Sequence, residues 1–292
     1  MNPLEDALAV AAFHGTPRAA LPLLAPLDPA GDHPDRVRWL AGVCLGALGR
    51  YDSAAGWLLP VPAGLASLGG DAGPFAAAAT AAPSAALSCR ASHLRQLGWH
   101  AEAEWLDVAA LAAATEPDAT LDALVGLVAD AVGRLDLATA RTRLDRAAAA
   151  VARDIDSGPD TGDSAWRHRV RLDWVRAEVA LLGDDPSGAV GPAQAALRRS
   201  LTVVACRHAV KSQLVLGAAL EAGGQSRRAA RVLRGAAAGA DRLGLPTLVW
   251  PARTLLARVL ADRAPATAGR ERQRALSARR RTDSAPRGGT NR

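Results

Sequence analysis

The chain has 292 residues, 49% hydrophobic and 22% charged, the balance of a folded chain rather than a low-complexity one. Aromatics make up only 3%, seven of them Trp, and Ile155 is the sole isoleucine, so a strand-rich fold is excluded and Ala and Leu point to an all-α chain. The net charge of +6 resides in residues 264–292, where eight arginines face only Glu271 and Asp283; the rest carries 27 basic and 27 acidic side chains.

The N-terminus, Met1-Asn2-Pro3-Leu4-Glu5-Asp6, lacks the basic region of a secretory signal. Along the chain a phrase then recurs: a helix end, a Gly turn and an Ala-centred second helix. Its clearest copies are Leu48-Gly49-Arg50-Tyr51-Asp52-Ser53-Ala54, Leu97-Gly98-Trp99-His100-Ala101-Glu102-Ala103 and Ala222-Gly223-Gly224-Gln225-Ser226-Arg227-Arg228-Ala229. Six units align on Ala20, Ala54, Ala103, Ala140, Ala189 and Ala229. Four residues after the anchor stand Leu24, Leu58, Leu144, Ala193 and Leu233, with Asp107 as the exception in unit three. Seven after stand Leu27, Val61, Ala110, Ala147, Ala196 and Ala236, on the same helix face. Twelve before it, on the first helix, Gly42, Ala91, Ala177 and Gly217 predict a close approach of two helices; Leu8 and Val128 depart from that rule.

Two long intervals carry insertions, Pro60–Pro74 and the polar stretch Asp154–Asp163. The weakly charged run Gly56–Cys89 is broken by prolines and glycines, whereas a membrane span needs about 20 continuous apolar residues. Gly244-Leu245-Pro246 predicts a helix stop. A helix over 246–262 follows, with Leu248, Leu255, Leu256, Val259 and Leu260 covering the end of the stack. Beyond Arg263 the Arg-rich composition predicts a disordered basic tail.

This pattern resembles the tetratricopeptide repeat (TPR) family, most closely in Leu216-Gly217, Leu220, Gly224, Ala229, Leu233 and Ala236, and covers about residues 4–245. The resemblance implies a right-handed α-solenoid of about six antiparallel helix pairs with a capping helix. It divides the chain into a repeat domain, 1–262, and a tail, 263–292.

Several chemistries lack their residues. Lys211 is the only lysine and no glycine precedes it, so a Walker-type nucleotide site is excluded. There is no Gly-x-Ser-x-Gly elbow, no His-Glu-x-x-His and no paired Cys-x-x-Cys. Cys44, Cys89 and Cys206 are far apart in sequence and read as free thiols in a reducing cytoplasm. His93, His100, Glu102 and Glu104 include one helical ligand pair, too few for zinc. We therefore expect a non-enzymatic bacterial protein without metal or cofactor.

The resemblance places ligands in a groove lined by the first helices. Carrying its inward-facing pattern over selects Arg36, Trp39, Arg95, Arg171, Trp174 and Lys211, with Ser88, Ser92 and Glu178 among them, as candidates to grip an extended acidic or aromatic peptide. A Lys/Asn/Arg carboxylate clamp is excluded, because Asn2 and Asn291 are the only asparagines. The basic run Arg167-His168-Arg169-Val170-Arg171, with Arg176, offers itself to an acidic partner, but reads first as a solvated face paired with neighbours such as Asp173 and Glu178. The alternative function is a regulatory protein whose Arg tail contacts nucleic acid or an acidic partner without sequence preference.

Overall fold

The computed structural model describes residues 2–58, 83–156 and 165–261, and among them every regular element is helical. Helix α1 (Pro3–Ala9) leads through a π-turn (Val10–His14) and a 3-10 turn (Pro17–Ala20) into α2 (Leu21–Leu24). Then follow α3 (Asp35–Ala47), α4 (Tyr51–Leu58), α5 (Ser84–Gln96), α6 (His100–Ala113), α7 (Pro117–Gly133) and α8 (Leu137–Asp156). The last are α9 (Ala165–Leu182), α10 (Pro186–Thr202), α11 (Cys206–Ala222), α12 (Ser226–Leu243) and α13, residues 246–261. The insertion at Pro60–Pro74 and the tail fall outside the described residues. Helix α8 runs through Asp156, so part of the expected polar loop is helical.

The recurring turn has one backbone solution. After α3, α5, α7, α9, α10 and α11 one residue adopts positive φ: Gly49, Gly98, Leu135, Asp184, Val204 and Gly224. The next N–H then donates to the carbonyl five residues back, as from Arg50 to Leu45 at 2.9 Å and from Ala205 to Ser200 at 2.8 Å. Glycine suits this conformation because it has no Cβ to meet the carbonyl oxygen. Gly244 ends α12 in the same way, with φ 63°.

All six anchor alanines are fully buried. The small residues before them allow the expected approach. A Cβ added to Gly42 would lie 2.4 Å from Cδ2 of Leu58, and one added to Gly217 would lie 2.4 Å from Cδ2 of Leu233. In both pairs the leucine is the residue four after the anchor. Unit three replaces this contact with a polar one: Asp107 accepts from Ser88 Oγ at 2.8 Å and from Arg95, which also donates to Asp130 at 2.8 Å. Gly126 makes the room, since a Cβ there would meet an Asp107 oxygen at 2.2 Å.

Consecutive helices pack against each other along the chain, and α3, α5, α7, α9 and α11 also touch in succession to form an inner layer. The π-turn closes that layer by packing against both α3 and α11. The first and last described units therefore meet. Thr16 Oγ1 donates to the Leu243 carbonyl at 3.1 Å and Thr247 Oγ1 to the Ala47 carbonyl at 3.0 Å. Ala47, Val210, Ala240 and Leu245 share a small apolar cluster at the same seam. Helix α13 covers α11 and α12 with Leu248, Ala252, Leu255, Leu256 and Val259, whereas Leu260, expected on that face, lies exposed at the stripe's edge in the last turn. No described helix is long and apolar enough to cross a membrane.

Candidate binding site at the N-terminal ends of the inner helices

Helices α7, α9 and α11 are equivalent in register, so their first turns present equivalent positions. Eighteen residues before each anchor stand Asp122, Arg171 and Lys211, and one turn earlier Asp118, Arg167 and Arg207. Asp122 is the hub. Arg167 donates to it at 2.7 Å, Arg171 donates to its other oxygen, and His168 contacts Asp118 at 3.1 Å. Burial alone would push the Asp122 carboxyl up, but the Arg167 and Arg171 guanidiniums outweigh it and hold it well below the usual range. The basic run of α9 is thus not a solvated face: Arg167 and His168 are buried, and Arg167 and Arg171 spend their charge on Asp122 rather than on Asp173 or Glu178. Asp173 instead pairs with Arg176 and Arg199, and Glu178 with Lys211.

Aromatic rings pack around this cluster. The Arg167 guanidinium lies 5.3 Å from the Trp39 ring and 5.9 Å from Phe13, a cation–π arrangement that ties α9 to α3 and the π-turn. His208 stacks on Trp174 at 5.4 Å and meets Trp166 edge-on at 4.9 Å. Trp174 Nε1 donates to Ser212 Oγ at 2.8 Å, and Lys211 lies 5.7 Å from the Trp174 ring. Burial, with Arg207 and Arg167 nearby, holds His208 well below the ordinary histidine value, so the ring is neutral.

The predicted residues therefore divide. Trp39 and Arg171 meet through Arg167, and Trp174 and Lys211 meet directly. Arg95 is instead held in the lock between α5, α6 and α7, paired with Asp107 and Asp130. Arg36 lies apart, its side chain 61% exposed and 3.8 Å from Glu5. Arg207, His208, Trp166, Phe13 and Asp122 were not among the predicted site residues, although the register extended one turn toward the helix N-terminus finds Arg167 and Arg207.

The one thiol–imidazole contact is Cys89 Sγ to His93 Nε2 at 3.7 Å. Burial pushes the Cys89 thiol up to about 12 and takes His93 down to about 3, so the thiol keeps its proton and the imidazole does not charge. Such a pair has no thiolate to offer as a nucleophile. Of the ligand pair suggested by spacing, His100 and Glu104, the carboxylate is taken up by Arg134 and Arg143. Among the described residues no group of three or more His, Cys, Asp or Glu side chains is placed to hold a metal ion. No protein-family model matches the chain, and no curated protein matches it.

Proposed function

We propose that the chain is a non-enzymatic adaptor of TPR-like type, a right-handed stack of antiparallel helix pairs that binds an acidic segment of a protein partner in the cytoplasm. The observation that carries this reading is the charge balance at the N-terminal ends of α9 and α11: Arg167 and Arg171 share one fully engaged carboxylate, Asp122, among aromatic rings, and Arg207 adds a positive charge with no ion pair among the described residues. Guanidiniums beside Trp are the usual centre of a protein-binding site. Because Arg167, Trp39 and Phe13 bridge the inner layer, the partner engages with a short acidic tip rather than an extended chain laid through the ring.

Capture of partners from the native host on full-length protein, beside the Arg171→Gln/Arg207→Gln variant, tests the reading. A partner held through an acidic segment is retained by the wild type and lost from the variant. Equal recovery on both would refute it. A second reading follows from the eight arginines of residues 264–292, which favour salt-sensitive contact with nucleic acid. Removing residues 264–292 abolishes retention on DNA at low salt if it is right, and equal retention of the truncated chain refutes it.

A further inference from the structure

Arg90 and Arg207, both on inner helices, each leave a buried Nε without a partner, but Arg90 donates to the Tyr51 carbonyl at 3.5 Å. Arg95, Arg167 and Arg171 each donate to a carboxylate, whereas Arg207 has no hydrogen bond or ion pair among the described residues, and its Nε is fully buried without a partner. Arg167 and Arg171, which add to its positive surroundings, already share their counter-ion Asp122. Lys211, one turn along α11, has its own partner in Glu178. Glu221 on the same helix is 14 residues away, about 21 Å along the axis, so it cannot serve.

The described residues supply no substitute counter-charge. The thiols that face Arg207 are those of Cys44 and Cys89, and burial pushes both up to about 12, so neither is a thiolate at neutral pH. His93 and His208 are neutral and carry no charge of either sign. A guanidinium withdrawn from water without a partner is costly, and proteins keep such groups paired. The surrounding geometry suits an external anion. Arg207 is the second residue of α11, where the first-turn N–H groups point away from the helix and its dipole is positive. Arg207 and Arg171 each keep part of their surface at solvent, which gives an ion a way in.

We infer that Arg207, with Arg167 and Arg171 beside it, forms a binding site for a single oxyanion, a phosphate or carboxylate group, at the start of α11. This rests on the adaptor reading for its biological source, a carboxylate of the partner's acidic segment, but the site itself is a property of the folded chain. Planar guanidinium forks take both oxyanions in the same bidentate way.

The test uses the full-length protein in low-salt, phosphate-free buffer. Inorganic phosphate is titrated against sodium chloride of matched ionic strength, followed by thermal melting and calorimetry. In a second arm a terminally blocked Glu-rich hexapeptide replaces phosphate, and the two compete. The wild type gains melting temperature saturably with phosphate and not with chloride, and peptide and phosphate displace each other. Arg207→Gln binds phosphate at least about tenfold more weakly, the loss of charge-assisted hydrogen bonds. Arg207→Met melts no lower than the anion-free wild type, because it removes an unpaired, partly buried charge, and shows no phosphate shift. The exposed Arg227→Gln behaves as the wild type. A phosphate shift no larger than that of chloride, or one undiminished in Arg207→Gln and Arg207→Met, overturns the site. Phosphate binding without any acidic partner captured from the host leaves the site standing and refutes the adaptor reading. A captured partner that Arg207→Gln still binds fully, with no phosphate site, does the reverse.

Discussion

Replacing Val204 with glycine raises stability, against the usual sign of a Val→Gly change. Val204 is the positive-φ residue of the turn between α10 and α11, at φ 54°, with 65% of its surface exposed. A left-handed conformation costs an L-residue about 1–2 kcal/mol, and β-branching places Val at the upper end. Glycine removes that strain but loses about 0.5–1 kcal/mol more conformational entropy on folding. The exposed side chain takes little packing with it, so the net gain is about 0.5–1 kcal/mol. With an unfolding entropy of about 0.6 kcal/mol/K for a chain of this length, that is an increase of about 1–2 °C in Tm. Leu135, at φ 60° and 77% exposed, gains somewhat less, and Asp184, whose short polar side chain tolerates φ 57°, gains least. Paired melts of the three variants and of the Leu135→Gly/Val204→Gly double, whose effects add for distant sites, measure the order. A Val204→Gly protein that melts below wild type, or an Asp184→Gly variant that gains most, refutes the reasoning.

Alanine at Gly217 or Gly42 forces Leu233 or Leu58 out of place and costs about 1–3 kcal/mol in chemical denaturation. The same change at exposed Gly235 within α12, where an added Cβ meets only the end of the Gln213 side chain at 3.5 Å, stabilises by about 0.5–1 kcal/mol. Burial raises the Asp107 and Asp130 carboxyls despite the Arg95 between them, so the folded state keeps a proton that the unfolded state has released. Stability therefore falls as pH climbs above the ordinary carboxylate range, by about 1.4 kcal/mol per pH unit while that proton is held, and Asp130→Asn flattens the slope in pH-dependent denaturation. Asp122 has the opposite sign: its carboxyl is held low, so its contribution is present above about pH 4 and lost as pH falls. Asp122→Asn costs about 3–5 kcal/mol at pH 7, and its deficit against wild type shrinks in acid.

The helix pattern was legible because its determinants are local. Gly49, Gly98 and Gly224 mark their turns by identity, and the anchor alanines repeat at a spacing that burial demands. Leu135, Asp184 and Val204 make the same turn without glycine, since the hydrogen-bonded cap and the buried anchor outweigh the strain, and no local signal announces them. Asp107 shows a different limit. Its departure from the Leu pattern was visible, but its partner Asp130 lies in the next unit and only assembled packing brings it to Arg95. The site was half legible for a related reason. Trp39, Arg171, Trp174 and Lys211 follow from the inward register, whereas Phe13 joins them only because the π-turn closes the inner layer, a contact between distant parts of the chain.

That closure changes how the molecule comes apart. In an open stack each terminal unit has one neighbour, and unfolding proceeds inward from the ends. Here the bond from Thr247 to Ala47 spans 200 residues of sequence and gives the first units a second neighbour. Every unit is then internal, and opening anywhere requires breaking two interfaces at once. The chain trades the progressive fraying of a linear array for the all-or-none transition of a small domain, while its folding must wait for the slow closure of one very long loop.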